Sequence, residues 1–169
     1  MNWDAIGAIG EISGAFVVVI TLIYVAWQVR QNTVQQRIES HRAVSELQIQ
    51  VNSVFYDPDM AKTIYGALND WDQSSTEARQ LAGQWLLDTV THFQTLHFMY
   101  LARTVDSQFY KAEENTLVHL TLASQGGRKW WAVAHPMFST TLVEHINARI
   151  LTTPTKEFEE FLQLHTGAA

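Results

Sequence analysis

The sequence predicts an all-α protein in which a single N-terminal transmembrane helix continues into a long helix packed in a cytoplasmic helical bundle. Three observations carry this prediction. Ala5 to Trp27 is an apolar run of 23 residues in which Glu11 is the only charge. No Pro or Gly interrupts the stretch from Gln28 to Tyr56. Beyond it, apolar residues recur at helical spacing between capping and breaking residues, and no strand-like alternation or hairpin signal competes.

At about 1.5 Å rise per residue, the first run spans roughly 34 Å, enough for a hydrocarbon core of about 30 Å with some tilt. Its uncharged part, Ile12 to Trp27, reaches only about 24 Å, which leaves Glu11 near an interface or thins the bilayer. Trp3 stands at one end and Tyr24 and Trp27 at the other, where amphipathic rings favour the headgroup level. A cleavable export signal should carry positive charge ahead of the apolar stretch; Asp4 stands there instead, so an uncleaved anchor is expected. Arg30, the first basic residue, is followed by Arg37 and Arg42, all past the span. The positive-inside rule then places the C-terminal domain in the cytoplasm and the short N-terminus outside.

Gly7, Gly10 and Gly14 fall at i, i+3 and i+7, and Glu11 and Thr21 share their helical face. Gly10 to Gly14 is a GxxxG match, so this face suits close packing against another transmembrane helix, either a second copy or part of a larger complex. Glu11 reads either as a functional ionisable group on that face or as a carboxylate marking the outer interface.

In the soluble part, Val44, Leu47, Val51 and Val54 repeat at spacings of three and four and give the long helix an apolar stripe. Asp57-Pro58 stops that helix and starts a short one through Ala67. A polar loop from Asn69 to Ser75 follows, and Ser74 with Glu77 matches a capping box. The next helix runs to about Arg103 and offers Leu81, Trp85, Val90, Phe93, Leu96, His97 and Tyr100 as apolar surface. Asp106 caps a helix ending near Ser124. A short Trp-rich helix from Arg128 to Ala134 stops before Pro136. Ser139 then caps a helix to about Ile150. The resulting division is an anchor at 1–29, a bundle at 30–151 and an acidic, weakly docked segment at 152–169.

Net charge is −6, with no basic patch beyond the juxtamembrane arginines, so no nucleic-acid partner is expected. The segment Met1 to Ile12, the Val/Ile run after it and Gln28-Val-Arg-Gln-Asn-Thr33 resemble an uncharacterised bacterial family of small proteins with one N-terminal transmembrane helix and a cytoplasmic helical domain. Asp57-Pro58, Arg128 to Trp131 and Phe138 also resemble features of that family's helical domain. The resemblance implies the architecture and a bacterial inner-membrane location. It implies no activity and no catalytic residues.

Chemistry-bearing patterns are sparse. Asp88 and His92 share a helical face, with His97 beyond them and His119 the best further ligand, but Glu-x-x-His pairs on two helices are missing. The favoured reading is a partly buried His92 bonded to Asp88, with no metal and no cofactor. Glu113-Glu114 and Glu157, Glu159 and Glu160 lack a local device to perturb a carboxylate and read as exposed acidic faces. Gly126-Gly127 before Arg128 and Lys129 could hold an anion at a helix start, but an ordinary interhelix loop is favoured. Trp130 and Trp131 cannot share a face: one is core, and the other covers the long helix, lines a cleft or touches the membrane surface. The expectation is a non-enzymatic, membrane-anchored interaction or scaffold protein, with the lipid bilayer and another transmembrane helix as partners. The alternative is a small-molecule or lipid sensor with an aromatic-lined pocket.

Overall fold

The computed structural model describes residues 3–155, with side-chain surroundings from residue 10 onward except at position 12. The described chain is all-α: six α-helices and no strand. α1 runs over Trp3–Asn52 without a break, as expected from a stretch free of helix breakers after the apolar run. α2 (Pro58–Asn69), α3 (Thr76–Leu101), α4 (Ser107–Asn115), α5 (Gln125–Ala134) and α6 (Thr140–Thr152) follow. A 3₁₀ turn, Ser53–Tyr56, closes α1, and a π-helical segment, Thr116–Leu122, continues α4. The acidic segment Lys156 to Leu164 lies outside the described residues.

Two compact units divide at Glu39/Ser40. In the first, every described side chain from Ser13 to Glu39 is exposed, including Phe16, Ile20, Leu22, Ile23 and Trp27. α1 is the one described helix long and apolar enough to cross a membrane.

The second unit folds around two apolar clusters. One gathers Val44, Val90, Phe93, Leu96, Leu117, Leu122, Trp131, Leu142 and Ile146; the other gathers Ile64, Ala67, Leu68, Ala82, Trp85 and Leu86. Trp130 is half-buried and packs against both clusters. It lies over α3 where Gly83 has no side chain: a Cβ there would sit 3.6 Å from the Trp130 ring. Trp131 is the core member of the pair, its indole N–H donating to Asn147 at 2.8 Å. The stripe at the end of α1 is narrower than its spacing suggests. Val44 is buried and Val51 and Val54 half-buried, but Leu47 is exposed at the edge of a groove against α3.

The punctuation follows side-chain chemistry. Asp57 accepts from the N–H groups of Asp59 and Met60 at 2.9 and 3.2 Å, with Pro58 at the first helical position. Asp106 does the same for Gln108 and Phe109. α3 starts one residue later than the capping-box pattern suggests. Ser75, not Ser74, accepts from Ala78 N–H at 3.1 Å, while the Ser74 hydroxyl donates back to Asp70 O at 2.6 Å. Glu77 therefore sits in the first turn without closing the box; its own backbone N–H and Ser75 hold its carboxyl below the usual range. α3 ends in a Schellman motif, with Thr104 N–H donating to Met99 O and Arg103 N–H to Tyr100 O. Arg103 takes the left-handed position with φ 60°.

The Gly126-Gly127 pair corrects the loop reading. Ser124 caps α5 by accepting from Gly127 N–H at 3.0 Å, so both glycines lie in the first turn of a helix that begins at Gln125. Both are buried. A Cβ on Gly126 would sit 2.5 Å from Ala67 O and 2.8 Å from Leu68 Cα; one on Gly127 would clash with Thr121 O and Leu122 Cα. The pair lets the α5 N-terminus press onto α2 and the π segment.

Candidate functional site

The predicted packing face of α1 is open. Gly10, Glu11 and Gly14 are exposed, and a Cβ on either of these glycines would meet nothing within 4 Å. Gly7 and Trp3 lie in the same helix, but their side-chain surroundings fall outside the described residues. Thr21 continues the face and bonds its own helix, its hydroxyl donating to Val17 O at 2.8 Å. That bond removes a polar cost in an apolar environment. The Tyr24 and Trp27 rings lie 6.2 Å apart and are exposed, as is Arg30 one turn on.

The two cations that an anion cradle at the start of α5 would use, the less favoured reading, both have partners within the chain. Arg128 donates to the carbonyls of Ile150 and Thr153, and Lys129 pairs with Asp72. The expected Asp88–His92 bond does not form: Asp88 accepts from Gln84 Nε2 at 3.0 Å instead. Among the described residues no group of three or more His, Asp or Glu side chains is placed to hold a metal.

His92 is more informative without that bond. It is buried, neither ring nitrogen has a hydrogen-bonding partner, and burial holds its pKa below the ordinary imidazole value. Trp85, two turns earlier on α3, is also buried, with an unpartnered indole N–H. Each such group costs about 1–3 kcal/mol when shut off from water without a partner. Both residues line two cavities. One, of about 680 Å³, runs between the end of α1 and α3 past Leu47, Val51, Gln84 and Asp88. The other, of about 430 Å³, is walled by Phe55, Tyr65, Phe93 and Leu117. The Phe55 and Tyr65 rings stack at 5.0 Å, and Phe55 meets the Trp85 ring edge-on at 5.0 Å. Glu113 stands at this second pocket, half-buried rather than on an exposed face, and burial raises its carboxyl pKa.

A polar network lies on the far side of the core. Tyr110 Oη is 2.7 Å from His97 Nδ1 and 3.2 Å from His145 Nε2, which is 2.5 Å from Glu114 Oε1. Arg149 Nε lies 3.3 Å from the same oxygen, an ion pair by distance whose N–H is not aimed for a hydrogen bond. His97 is held below the ordinary imidazole value by burial and then by His145, against the opposing pull of Glu114. With His145 Nε2–H donating to the Glu114 carboxylate, the Tyr110 hydroxyl has His97 Nδ1 as its acceptor, which sets His97 in the Nε2–H tautomer. Burial and the nearby Glu114 charge push the Tyr110 phenol far upward, consistent with a hydroxyl that stays protonated. Tyr110, His97, His145 and Glu114 find their partners within the chain, so the network reads as a polar core bolt between α3, α4 and α6.

Sequence reasoning passed over this network because no local spacing joins three helices. Its only trace is a pair of i, i+4 partners, Tyr110/Glu114 on α4 and His145/Arg149 on α6. No protein-family model, curated protein or solved structure matches the chain.

Proposed function

We propose that this is a non-enzymatic, membrane-anchored interaction protein of the bacterial inner membrane, with its C-terminal bundle in the cytoplasm. In this reading α1 crosses the bilayer, docks by its Gly7, Gly10, Glu11 and Gly14 face on another transmembrane helix, and carries the bundle as an accessory part of a larger complex. The observation that carries it is the exposure of the apolar run from Ser13 to Trp27, with Gly10 and Gly14 open at its start. An apolar surface of this extent calls for a cover that the described residues do not supply. Arg30, Arg37 and Arg42 after the run, and none before it, support the orientation. The resemblance of the N-terminal segment to a bacterial single-span family supports the location.

Affinity purification from gently solubilised membranes tests the docking face. The intact chain is expected to bring down a membrane partner or itself, and Gly10→Leu with Gly14→Leu to lose it while remaining in the membrane. Recovery of a lone monomer indifferent to both substitutions contradicts the proposal.

A second reading, a sensor for a small molecule, is favoured by one observation: Trp85 and His92 leave buried hydrogen-bonding groups unpaired beside two cavities. The docking face and the pocket lie on separate units and can fail separately.

A further inference from the structure

We propose that the pocket of about 430 Å³ walled by Phe55, Trp85, Phe93 and Glu113 binds an organic ammonium cation. This rests on the sensor reading and names its ligand class.

The charge of the ligand follows from the wall. Glu113 is the only carboxylate among the described residues lining this pocket, and no Lys or Arg accompanies it. It is half-buried, yet its side chain has no hydrogen bond or ion pair with another described residue. Glu114, one residue on, is the contrast: His145 and Arg149 hold it. A carboxylate drawn out of water without a counter-charge is costly, and a cation in the same cavity offsets that cost. A neutral ligand would cover Glu113 further and leave it unpaired. An anion would add repulsion and meet no compensating side chain.

The kind of cation follows from the rings. A hard metal ion takes about six or more oxygens, and among the described residues no group of His, Asp or Glu is placed to hold one. The wall is instead aromatic. Phe55 stacks on Tyr65 and meets Trp85 edge-on, each at 5.0 Å, so the three rings form one continuous surface. Ring faces attract ammonium groups through their negative quadrupole, most strongly when the cation is desolvated. The cavity is larger than an ammonium head alone and lies within the range of small-molecule sites. Hydrocarbon on the cation then fills the remainder against Phe93 and Leu117.

The larger cavity between α1 and α3 lacks this combination. Its acid, Asp88, is exposed and already accepts from Gln84, and Trp85 and His92 are its only rings.

The test uses the full chain in maltoside micelles, which carry neither charge nor amine, with empty micelles to subtract partitioning. Calorimetry at pH 7.5 compares benzyltrimethylammonium, choline, 3,3-dimethylbutan-1-ol (the uncharged carbon isostere of choline) and 3,3-dimethylbutanoate. Benzyltrimethylammonium is expected to bind saturably and most tightly. Choline should bind roughly 10-fold more tightly than its isostere, and the carboxylate should not bind. Glu113→Gln should weaken both cations roughly 10-fold and leave the alcohol unchanged; Phe55→Leu should weaken them roughly 3-fold. Asp88→Asn, in the other cavity, should change none of these affinities. Glu113→Gln removes a half-buried charge and should melt no lower than the parent, which separates lost binding from lost folding. Equal affinity for choline and its isostere, or loss of binding with Asp88→Asn rather than Glu113→Gln, overturns the cation site while leaving a pocket. No saturable binding of any probe overturns the sensor reading itself.

Discussion

α1 between Ser13 and Glu39 and α3 between Thr76 and Leu101 are both helices rich in large apolar side chains, yet their environments are opposite. On α3, Leu86, Val90 and Leu96 are fully buried and Phe93 nearly so. On α1, Phe16, Ile20, Leu22 and Ile23 are each more than 60 % exposed. Glycines repeat the contrast. Gly126 and Gly127 hold helices at distances no Cβ allows, whereas Gly10 and Gly14 touch nothing. The difference teaches that composition alone does not say what an apolar helix packs against. In the bundle the chain supplies its own solvent-excluding partner; along α1 the described residues supply none, and in the function proposed above a bilayer and a second helix take that place.

The largest effect expected from this contrast uses one residue type in both regions. Gly126→Val drives a branched side chain into the α2 backbone and should destabilise the bundle by about 3 kcal/mol, lowering its melting temperature by about 6–12 °C. Gly14→Leu should leave that melting temperature unchanged. Thermal melts followed by circular dichroism in detergent check both, and equal effects break the comparison. Next in size is the polar bolt. Tyr110→Phe deletes the hydroxyl shared by His97 and His145 and should cost about 2 kcal/mol, measured by denaturant unfolding.

The two buried histidines make a pH prediction. Burial holds His92 and His97 below the ordinary imidazole value, so just below pH 6.5 the unfolded chain binds more protons than the folded one. Their stabilising contribution is complete above about pH 6.5 and is lost as the pH falls toward the folded values. Glu113, raised by burial, slopes the opposite way from the carboxylate range upward. The melting temperature should therefore fall between pH 7.5 and 5.5, and His92→Leu should flatten the fall; a steeper or unchanged profile in that variant counts against the assignment. The smallest effect belongs to Arg103. Arg103→Gly relieves a left-handed non-glycine residue in an intact Schellman motif and should stabilise by about 0.5–1 kcal/mol in the same melts.

Much of the fold was legible because its signals are local. Asp57-Pro58 and Asp106 cap through their own next few residues, and the long stretch without Pro or Gly could only continue as helix. Ser74 was one residue off because two adjacent serines offer the same hydroxyl, and only the turn closed by Asp70 O assigns one to the loop and the other to the cap. Gly126-Gly127 carries a turn signal that tertiary packing overrides, since the glycines are needed for close approach rather than for chain reversal. The candidate pocket was half legible. Trp85 and His92 stood out by type, but that Asp88 would turn to Gln84 and leave His92 unpaired depends on side-chain competition no spacing reveals. The Tyr110, Glu114 and His145 network joins residues as far apart as 35 positions and leaves almost no local trace.

Membrane insertion of α1 is tested most directly by single-cysteine labelling, for which a chain without cysteine is already suited. Val18→Cys in the middle of the apolar run and Thr63→Cys on the exposed face of α2 are treated with a membrane-impermeant maleimide, first in intact spheroplasts and then after lysis. Insertion with a cytoplasmic bundle predicts that Thr63→Cys is labelled only after lysis and that Val18→Cys resists labelling until detergent is added. Labelling of Val18→Cys in intact or lysed membranes without detergent would contradict it.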